Sequence, residues 1–294
     1  MSRVAGTSGK VRGLLRAWPA KISPEYGSVD LIVDHSVSDI LSQMSTRAEV
    51  FSPLQNTAVW LSSWLCGHES TDNVISALQD LGGPHYYHDE ALTTLLRDIR
   101  EATNLNEEGP AVRLILSGPG QPAELPAGSP AAAALTETGS AALALRGYGG
   151  ITHILIPCYT PEGTTWRWFE EHARLPEPAW LSPGEADALL SQATTEAAEL
   201  IRATGGTRAD LPDPRLTVGS LADFYDTPGL PMSTTPRAAK LFARADRVAA
   251  VIETVVDKLG DHSFDPQLFS LWRHIRTARM AGVADAVLNY QQTS

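Results

Sequence analysis

Four residues of types that bind zinc, Cys66, His68, His85 and His88, come in two closely spaced pairs. The first pair has the spacing Cys-x-His and the second His-x-x-His, which would suit a zinc ion if the pairs met. A predicted helix over 71–81 separates them by roughly 16 Å at about 1.5 Å per residue, whereas zinc ligands lie within about 2.3 Å of the ion. The sequence therefore predicts no metal site and no cofactor.

The stretch 85–90 concentrates polar and aromatic side chains directly before a predicted helix. Because loop residues often form binding surfaces, His85, Tyr86 and His88 are candidates for contact with a ligand or partner. Either histidine could donate or accept a proton near neutral pH. The alternative is structural: Asp89 and Glu90 would favour the helix dipole while the tyrosines pack with their hydroxyls outward.

Arg279 breaks the apolar face of the last predicted helix, since a period of 3.6 residues places it among Leu271, Ile275 and Val283. A charge in that position must be paired or open onto a cleft. It either forms a salt bridge to an acid on a neighbouring helix or binds an anion or a partner. His153 alternates with Ile154 along a predicted strand and is either a core histidine or a group that lines a pocket.

The predicted helix over 236–259 carries basic residues along one edge of its apolar stripe and acidic residues along the other. Opposite charges on two edges are typical of packed helix pairs, where they set orientation. The basic edge is therefore a candidate interface within the chain or with a second copy, and the alternative is a solvated face. Its members are Arg237, Lys240, Arg244 and Arg247.

The other motifs do not complete a catalytic signature. The stretch 117–120 follows a predicted strand, but no Lys-Ser or Lys-Thr follows it, and Pro119 lacks an amide that would bind phosphate. The aspartates between 210 and 226 fit no EF-hand, and Asx turns beside prolines explain them. No Gly-x-Ser-x-Gly elbow is present. These observations argue against an enzyme without excluding one.

Charge is distributed unevenly along the 294 residues, whose net charge is −11. Residues 1–24 carry +5, residues 25–234 carry −18 and residues 235–294 carry +2. An acidic body disfavours nucleic-acid binding, because phosphate neutralisation needs a concentrated positive surface. The basic segment 1–24 is interpreted as a flexible tail, with an arm for an anionic partner as the alternative.

Composition predicts a folded cytoplasmic protein of a bacterial type. The hydrophobic content of 43% is enough for a substantial core, and no apolar run approaches the length of a membrane span. The segment 1–20 lacks the apolar region of a signal peptide. Cys66 and Cys158 are too few for a disulfide framework and are interpreted as reduced, buried thiols.

Capping residues directly before proline divide the chain into helices. Ser52-Pro53, Ser129-Pro130, Ser182-Pro183 and Thr235-Pro236 each combine a side-chain acceptor with a proline whose missing N–H has no partner in a first turn. Ser70 is expected to cap a further short helix, and Ser182 with Glu185 forms an expected capping box. Between the helices, apolar runs over 111–116, 140–146, 151–157 and 164–169 lack the helical period and predict strands, the last with Trp166 and Trp168 on one face.

The predicted fold class is α+β, with a small antiparallel sheet of about four strands flanked by N-terminal and C-terminal helical segments. The expected segments are a helical region over 25–108, an antiparallel meander with a Pro/Gly-rich loop over 109–180, and a helical region over 181–294. The last region is expected to end in a long helical hairpin, because the loop between its two helices is short. Residues 25–294 together could form one domain.

We therefore expect a non-enzymatic protein–protein interaction module, such as a scaffold, chaperone or regulatory subunit, that binds another protein or a second copy of itself. The basis is the missing catalytic signature together with segregated charge and Arg279. The alternative is an enzyme or small-ligand sensor with a pocket between sheet and helices that draws on His85, His88, His153 and Arg279.

Overall fold

A computed structural model of the chain describes most of the sequence from Pro53 onward. The described residues are 53–88, 90–139, 141–160, 162–178, 180–203, 229–259 and 265–294. All of them lie within one compact unit, 43–294. The expected tail over 1–24 and the aspartates between 210 and 226 lie outside the described residues.

Three helices, α1 (Pro53–Leu65), α2 (Thr71–Gly82) and α3 (Leu92–Ala102), occupy the first part of the described chain. The cap at the start of α2 is confirmed, because the Ser70 hydroxyl accepts a hydrogen bond from the Asn73 N–H. Gly83, at φ 68°, ends the helix by donating its N–H to the Gln79 carbonyl. A glycine is needed there because an L side chain rarely adopts a positive φ.

The helical region expected over 25–108 also contains two short strands, which follow α2. β1 (His85–Tyr87) and β2 (Glu90–Ala91) form a short antiparallel hairpin, with Tyr86 opposite Ala91. α3 accordingly begins at Leu92, although the sequence favoured a start near residue 89. Strands of three and two residues are too short to display an alternating pattern, so this hairpin has no sequence signature.

The four expected strands are confirmed as β3 (Val112–Leu116), β4 (Ala141–Arg146), β5 (Thr152–Thr160) and β6 (Gly163–Glu171). They pair antiparallel in chain order. A short helix, α4 (Pro130–Thr138), lies between β3 and β4 and is capped by the Ser129 hydroxyl, which accepts the Ala132 N–H.

The complete sheet corrects the prediction of about four antiparallel strands. It has six strands in the order β2-β1-β6-β5-β4-β3, and it is mixed because β1 runs parallel to β6. The Thr164 N–H donates to the Pro84 carbonyl at 2.8 Å, at the point where β1 enters beside β6. A parallel pair joins strands far apart in the chain, so no local pattern predicts it.

The described residues from 183 onward include three long helices: α5 (Pro183–Ala203), α6 (Pro236–Leu259) and α7 (Asp265–Thr293). The capping box of α5 is confirmed, because the Glu185 carboxylate accepts the Ser182 N–H and the Ser182 hydroxyl accepts the Glu185 N–H. α6 and α7 pack antiparallel, as their short connection predicts, since Phe242 lies against Gly282 while Asp246 lies against Arg279.

The described residues form three apolar clusters. One fills the space between α1, α2, α3 and one face of the sheet, and the N-terminal part of α6 and the C-terminal part of α7 complete it. The second lies on the opposite face of the sheet under α4. The third lies within the bundle of α5, α6 and α7. α7 belongs to two of these clusters and therefore joins the helical bundle to the layered sheet.

α7 also covers the open edge of the sheet. The Leu116 N–H at the end of β3 points to the Met280 sulfur at 3.4 Å, and the Ala111 N–H donates to the Gln291 side chain at 2.9 Å. Covering an edge strand in this way blocks pairing with strands of other chains. None of the helices in the described ranges has the length and apolar character that crossing a membrane requires.

Candidate functional site

His85 is buried in the layer between the sheet and α2. Its Nδ1 accepts a hydrogen bond from the Trp166 indole at 2.8 Å, and its Nε2 lies 2.8 Å from the Leu78 carbonyl. An indole N–H only donates, so Nδ1 carries no proton and Nε2 donates to the carbonyl. His85 is therefore held as one neutral tautomer by two structural hydrogen bonds.

His153, on the other side of β6, accepts a similar hydrogen bond from an indole. Its Nδ1 accepts from the Trp168 indole at 3.2 Å, and the Glu170 carboxylate lies 3.8 Å from the same nitrogen. Trp166 and Trp168 point to the same side of β6, as the sequence alternation predicts. The two indole-to-imidazole hydrogen bonds tie β6 to both of its neighbours, β1 and β5.

The buried histidines make stability dependent on pH. Burial lowers the pKa of His85, and the hydrogen bond to Leu78 opposes that shift; burial likewise lowers the pKa of His153, against the charge of Glu170. As pH falls through about 6.5, the unfolded chain takes up protons that the folded protein does not, so the free energy of unfolding decreases. Each such histidine contributes a slope of up to about 1.4 kcal/mol per pH unit.

Replacing His85 with glutamine is therefore expected to flatten the pH dependence of stability while lowering stability at every pH. Urea unfolding of both proteins between pH 7.5 and 5.5 measures the effect. The wild type should lose about 1 kcal/mol more than His85→Gln over this interval. Equal losses in the two proteins would show that His85 does not stay neutral in the folded state.

Tyr86 and His88 lie at the outer edge of the sheet and are exposed, with 42% of Tyr86 accessible. His88 occupies a left-handed conformation at φ 50°, and its ring contacts Tyr87 at 4.2 Å between centroids. Tyr87 in turn contacts Trp168, which contacts His153. The structure thus links His88 to His153 through a row of aromatic rings.

Arg279 is buried, with 2% of its surface accessible, between α7, α6 and α1. Its guanidinium lies 2.7 Å from the Asp246 carboxylate on α6 and donates to the Gln55 side chain on α1 at 2.8 Å. This is the salt bridge to a neighbouring helix that the structural alternative expected. Arg279 thus contacts Asp246 and Gln55. His85, His88 and His153 contact other residues, namely Trp166, Tyr87 and Trp168.

Two members of the basic edge of α6 are used within the chain. Arg237 pairs with Asp285 on α7 at 3.1 Å, and Arg244 pairs with Asp187 on α5 at 3.0 Å. Lys240 and Arg247 are exposed. The charges at this edge therefore help to orient the three helices of the bundle, and a further contact with another copy stays a prediction.

The zinc-type residues also make contacts of a structural kind. His68 lies 3.1 Å from the Tyr290 carbonyl at the end of α7, whereas His85 contacts α2 and β6. Within the ranges that the structure describes, histidine, cysteine and acidic side chains form no group of three or more that could hold a metal ion.

A groove of about 70 Å³ lies between three parts of the chain: strand β3, helix α7 and the connection that precedes α5. Its apolar lining includes Leu181 and Met280, and Trp180 stands at its side with 54% of its surface exposed. The sequence analysis did not single out these residues. The signal that the sequence offered was a tryptophan, Trp180, in a proline-rich connection shortly before the helix start at Ser182-Pro183.

The ionisable groups of the groove neutralise one another. Arg113 donates to the Glu124 carboxylate at 2.8 Å and to the Pro176 carbonyl at 3.2 Å, so it fixes the connection before α5 against the sheet. Glu124 belongs to the Pro/Gly-rich loop after β3. One wall of the groove is therefore held by a salt bridge rather than by apolar packing alone.

Arg276 of α7 holds the same loop from the other side. Its Nε donates to the Gln121 side chain at 3.1 Å, and one Nη donates to the Pro119 carbonyl at 2.9 Å. A Cβ at Gly118 would lie 2.6 Å from this guanidinium, so the glycine makes room for it. In a phosphate-binding loop, the phosphate would lie against the stretch 117–120. In this protein Arg276 of the same chain lies there instead.

The comparisons with known proteins divide the chain at this groove. Residues 55–180 match the N-terminal domain of the Rv1486c-like proteins, and residues 184–280 match the C-terminal domain of the same proteins. No curated protein and no solved structure matches the chain. Arg113 and Trp180 come from the first matched region and Thr277 and Met280 from the second, so both matched regions line the groove.

Proposed function

We propose that the chain is a non-enzymatic protein–protein interaction module whose contact surface is the groove lined by both matched regions. The observation that carries this proposal is the exposed indole of Trp180 beside an apolar recess. Tryptophan is enriched among the residues that dominate binding energy in protein interfaces. A scaffold, a chaperone and a regulatory subunit would each use such a surface.

The size of the groove favours a protein partner over a small substrate. Its volume is about 70 Å³, whereas pockets that enclose small-molecule ligands measure roughly 300–1,000 Å³. One water needs about 10–15 Å³, so the groove has room for a few waters or one inserted side chain. A single side chain seated in a recess next to an aromatic anchor is the usual geometry of an interface hot spot.

The chemistry of the groove also favours binding over catalysis. Among the described residues its lining has no histidine and no cysteine, and the charged side chains there are Arg113 and Glu124, which pair with each other. His85, His88, His153 and Arg279, on which the enzyme or sensor alternative draws, do not line it. The groups with useful acid–base chemistry therefore lie away from the surface that can receive a partner.

The proposal predicts that Trp180 contributes strongly to partner binding. Tagged wild-type protein, Trp180→Ala and Tyr148→Ala are each purified from the same cells, and the protein that co-purifies in constant stoichiometry with the wild type is quantified. Tyr148 is the matched control, because 55% of its surface is exposed on the turn between β4 and β5. Trp180→Ala should bind the partner at least about tenfold more weakly, and Tyr148→Ala should bind as the wild type does.

Two outcomes contradict the proposal. One is a wild-type protein that stays monomeric in light scattering and retains no stoichiometric partner. The other is equal retention by Trp180→Ala and wild type. Thermal unfolding of both variants serves as the check on folding, since an exposed side chain contributes little to stability.

A further inference from the structure

The charge around the groove restricts the chemistry of the partner. Residues 53–203 contain nineteen acidic residues, seven arginines and no lysine. The part of the protein on the sheet side of the groove therefore carries an excess of negative charge. Such a field attracts basic partners, accelerates their association and disfavours acidic ones.

Six of the seven arginines in this part of the chain contact described residues, and nineteen acidic residues less seven arginines leave an excess of twelve negative charges. Three of these arginines pair with carboxylates that are three or more residues away in the chain, and one pairs with the residue next to it. One donates to backbone carbonyls, and one stacks on an indole ring. In chain order the contacts are Arg97 with Asp98, Arg100 with Trp64, Arg113 with Glu124, Arg146 with the carbonyls of Asn104, Glu108 and Gly109, Arg167 with Glu137, and Arg174 with Glu177.

The groove combines this negative surround with an aromatic face. The indole of Trp180 is exposed, and the face of an indole attracts a guanidinium or ammonium group. Glu124, which pairs with Arg113, supplies a carboxylate in the lining itself, and the exposed Glu177, which pairs with Arg174, directly precedes the lining residue Pro178. The recess next to them is lined by Leu181, Met280 and other apolar groups that suit one apolar side chain.

We propose that the partner's segment in this groove is basic: an arginine or lysine lies on Trp180 close to Glu124, and an adjacent apolar side chain fills the recess. This inference rests on the proposed function and names the chemistry that the groove selects. The proposed occupant is a segment of a different protein, and the acidic body of a second copy would meet repulsion here. An acidic segment is disfavoured for the same reason.

Two synthetic probes test the inference directly. They are peptides of twelve residues with leucine at the same positions, and their remaining positions are all arginine in one and all glutamate in the other. The protein is labelled with 5-fluorotryptophan, and the fluorine resonance of Trp180 is assigned with the variant Trp180→Phe. Titration of each peptide then follows the groove itself rather than total binding.

The arginine peptide should shift the Trp180 resonance in a saturable manner, and its affinity should fall as salt is raised, since exposed charges are screened. Glu124→Gln leaves the charge of Arg113 uncompensated in the groove and should weaken binding about fivefold. Glu137→Gln is the matched control, because it removes a carboxylate that also pairs with an arginine but lies on α4. This control should change the affinity less than about twofold.

Three results would overturn the inference: a glutamate peptide that binds as tightly as the arginine peptide, an arginine peptide that shifts other tryptophans but not Trp180, or equal weakening by Glu124→Gln and Glu137→Gln. The last result would show attraction to total charge only. If Trp180→Ala loses the co-purifying partner while the arginine peptide does not bind, the proposed function stands and only the basic chemistry fails. If Trp180→Ala keeps that partner, the proposed function fails whatever the peptides do.

Discussion

Replacing Gly163 with alanine is expected to lower the free energy of unfolding by about 2–6 kcal/mol. Gly163 has φ 140°, where a residue with a side chain is strained by about 1–3 kcal/mol. A Cβ at this position would also lie 2.2 Å from the Pro84 carbonyl oxygen, and the resulting overpacking costs about a further 1–3 kcal/mol. The contact is with backbone, so no side chain can rotate away.

Gly149→Ala is the control that separates the two effects. Gly149 also has a positive φ, 66°, but nothing lies within 4 Å of its would-be Cβ. Its substitution should cost only the conformational part, about 1–2 kcal/mol. Chemical denaturation of both variants measures the difference. Equal losses would contradict the close approach of Pro84 to β6 and, with it, the parallel pairing of β1.

Replacing Asp246 with alanine is expected to cost about 3 kcal/mol, although this side chain is 57% exposed. The reason is its partner: the guanidinium of Arg279 is almost fully buried and loses its carboxylate, 2.7 Å away. Removing one member of a buried pair leaves a charge in a poorly solvated position, at a cost of about 3–5 kcal/mol. The exposure of Asp246 places the expected effect at the lower end.

Two comparisons make this prediction specific. Asp187→Ala removes the carboxylate of an exposed pair, with Arg244, in the same helical bundle, and should cost less than about 1 kcal/mol. Arg279→Met removes the buried charge itself, so it should be less damaging than Asp246→Ala, and the double variant should resemble Arg279→Met. Equal effects of Asp246→Ala and Asp187→Ala would contradict a buried, paired Arg279.

Local chemistry allowed most helix ends and the central strands to be predicted. Ser70, Ser129, Ser182 and Thr235 cap helices because their hydroxyls accept a first-turn N–H, which depends only on residues three positions away. The alternation in β6 placed Trp166 and Trp168 on one face for the same reason. Patterns within one element were sufficient in these cases.

The sheet edge could not be predicted, because its formation depends on distant residues. β1 is stabilised by pairing with β6, by the indole of Trp166 on His85 and by the space that Gly163 leaves for Pro84, and β2 pairs with β1. None of these contacts is encoded within residues 85–91. From the sequence the stretch is interpreted as a loop with a candidate site, whereas its first histidine, His85, is a buried structural residue.

The groove could not be predicted from the sequence for a related reason. The lining of the groove comes from four separate segments, which contribute Arg113, Glu124, Trp180 and Met280. Each of these residues fits the sequence pattern of its own segment. Arg279 stood out because it interrupts an apolar face, and such an interruption identifies a buried charge but not its partner. A residue such as Trp180, which conforms to a proline-rich connection, becomes a candidate only when the fold shows its exposure.

Photo-crosslinking in cells tests the central claim, a protein partner in the groove beside Trp180, most directly. A benzophenone amino acid is introduced at position 180 and, as the control, at the equally exposed position 148. The account predicts a discrete crosslinked band from position 180 that is absent from position 148, with a basic, apolar segment of another protein as the attached peptide. No crosslink at 180, or the same bands from both positions, would contradict it.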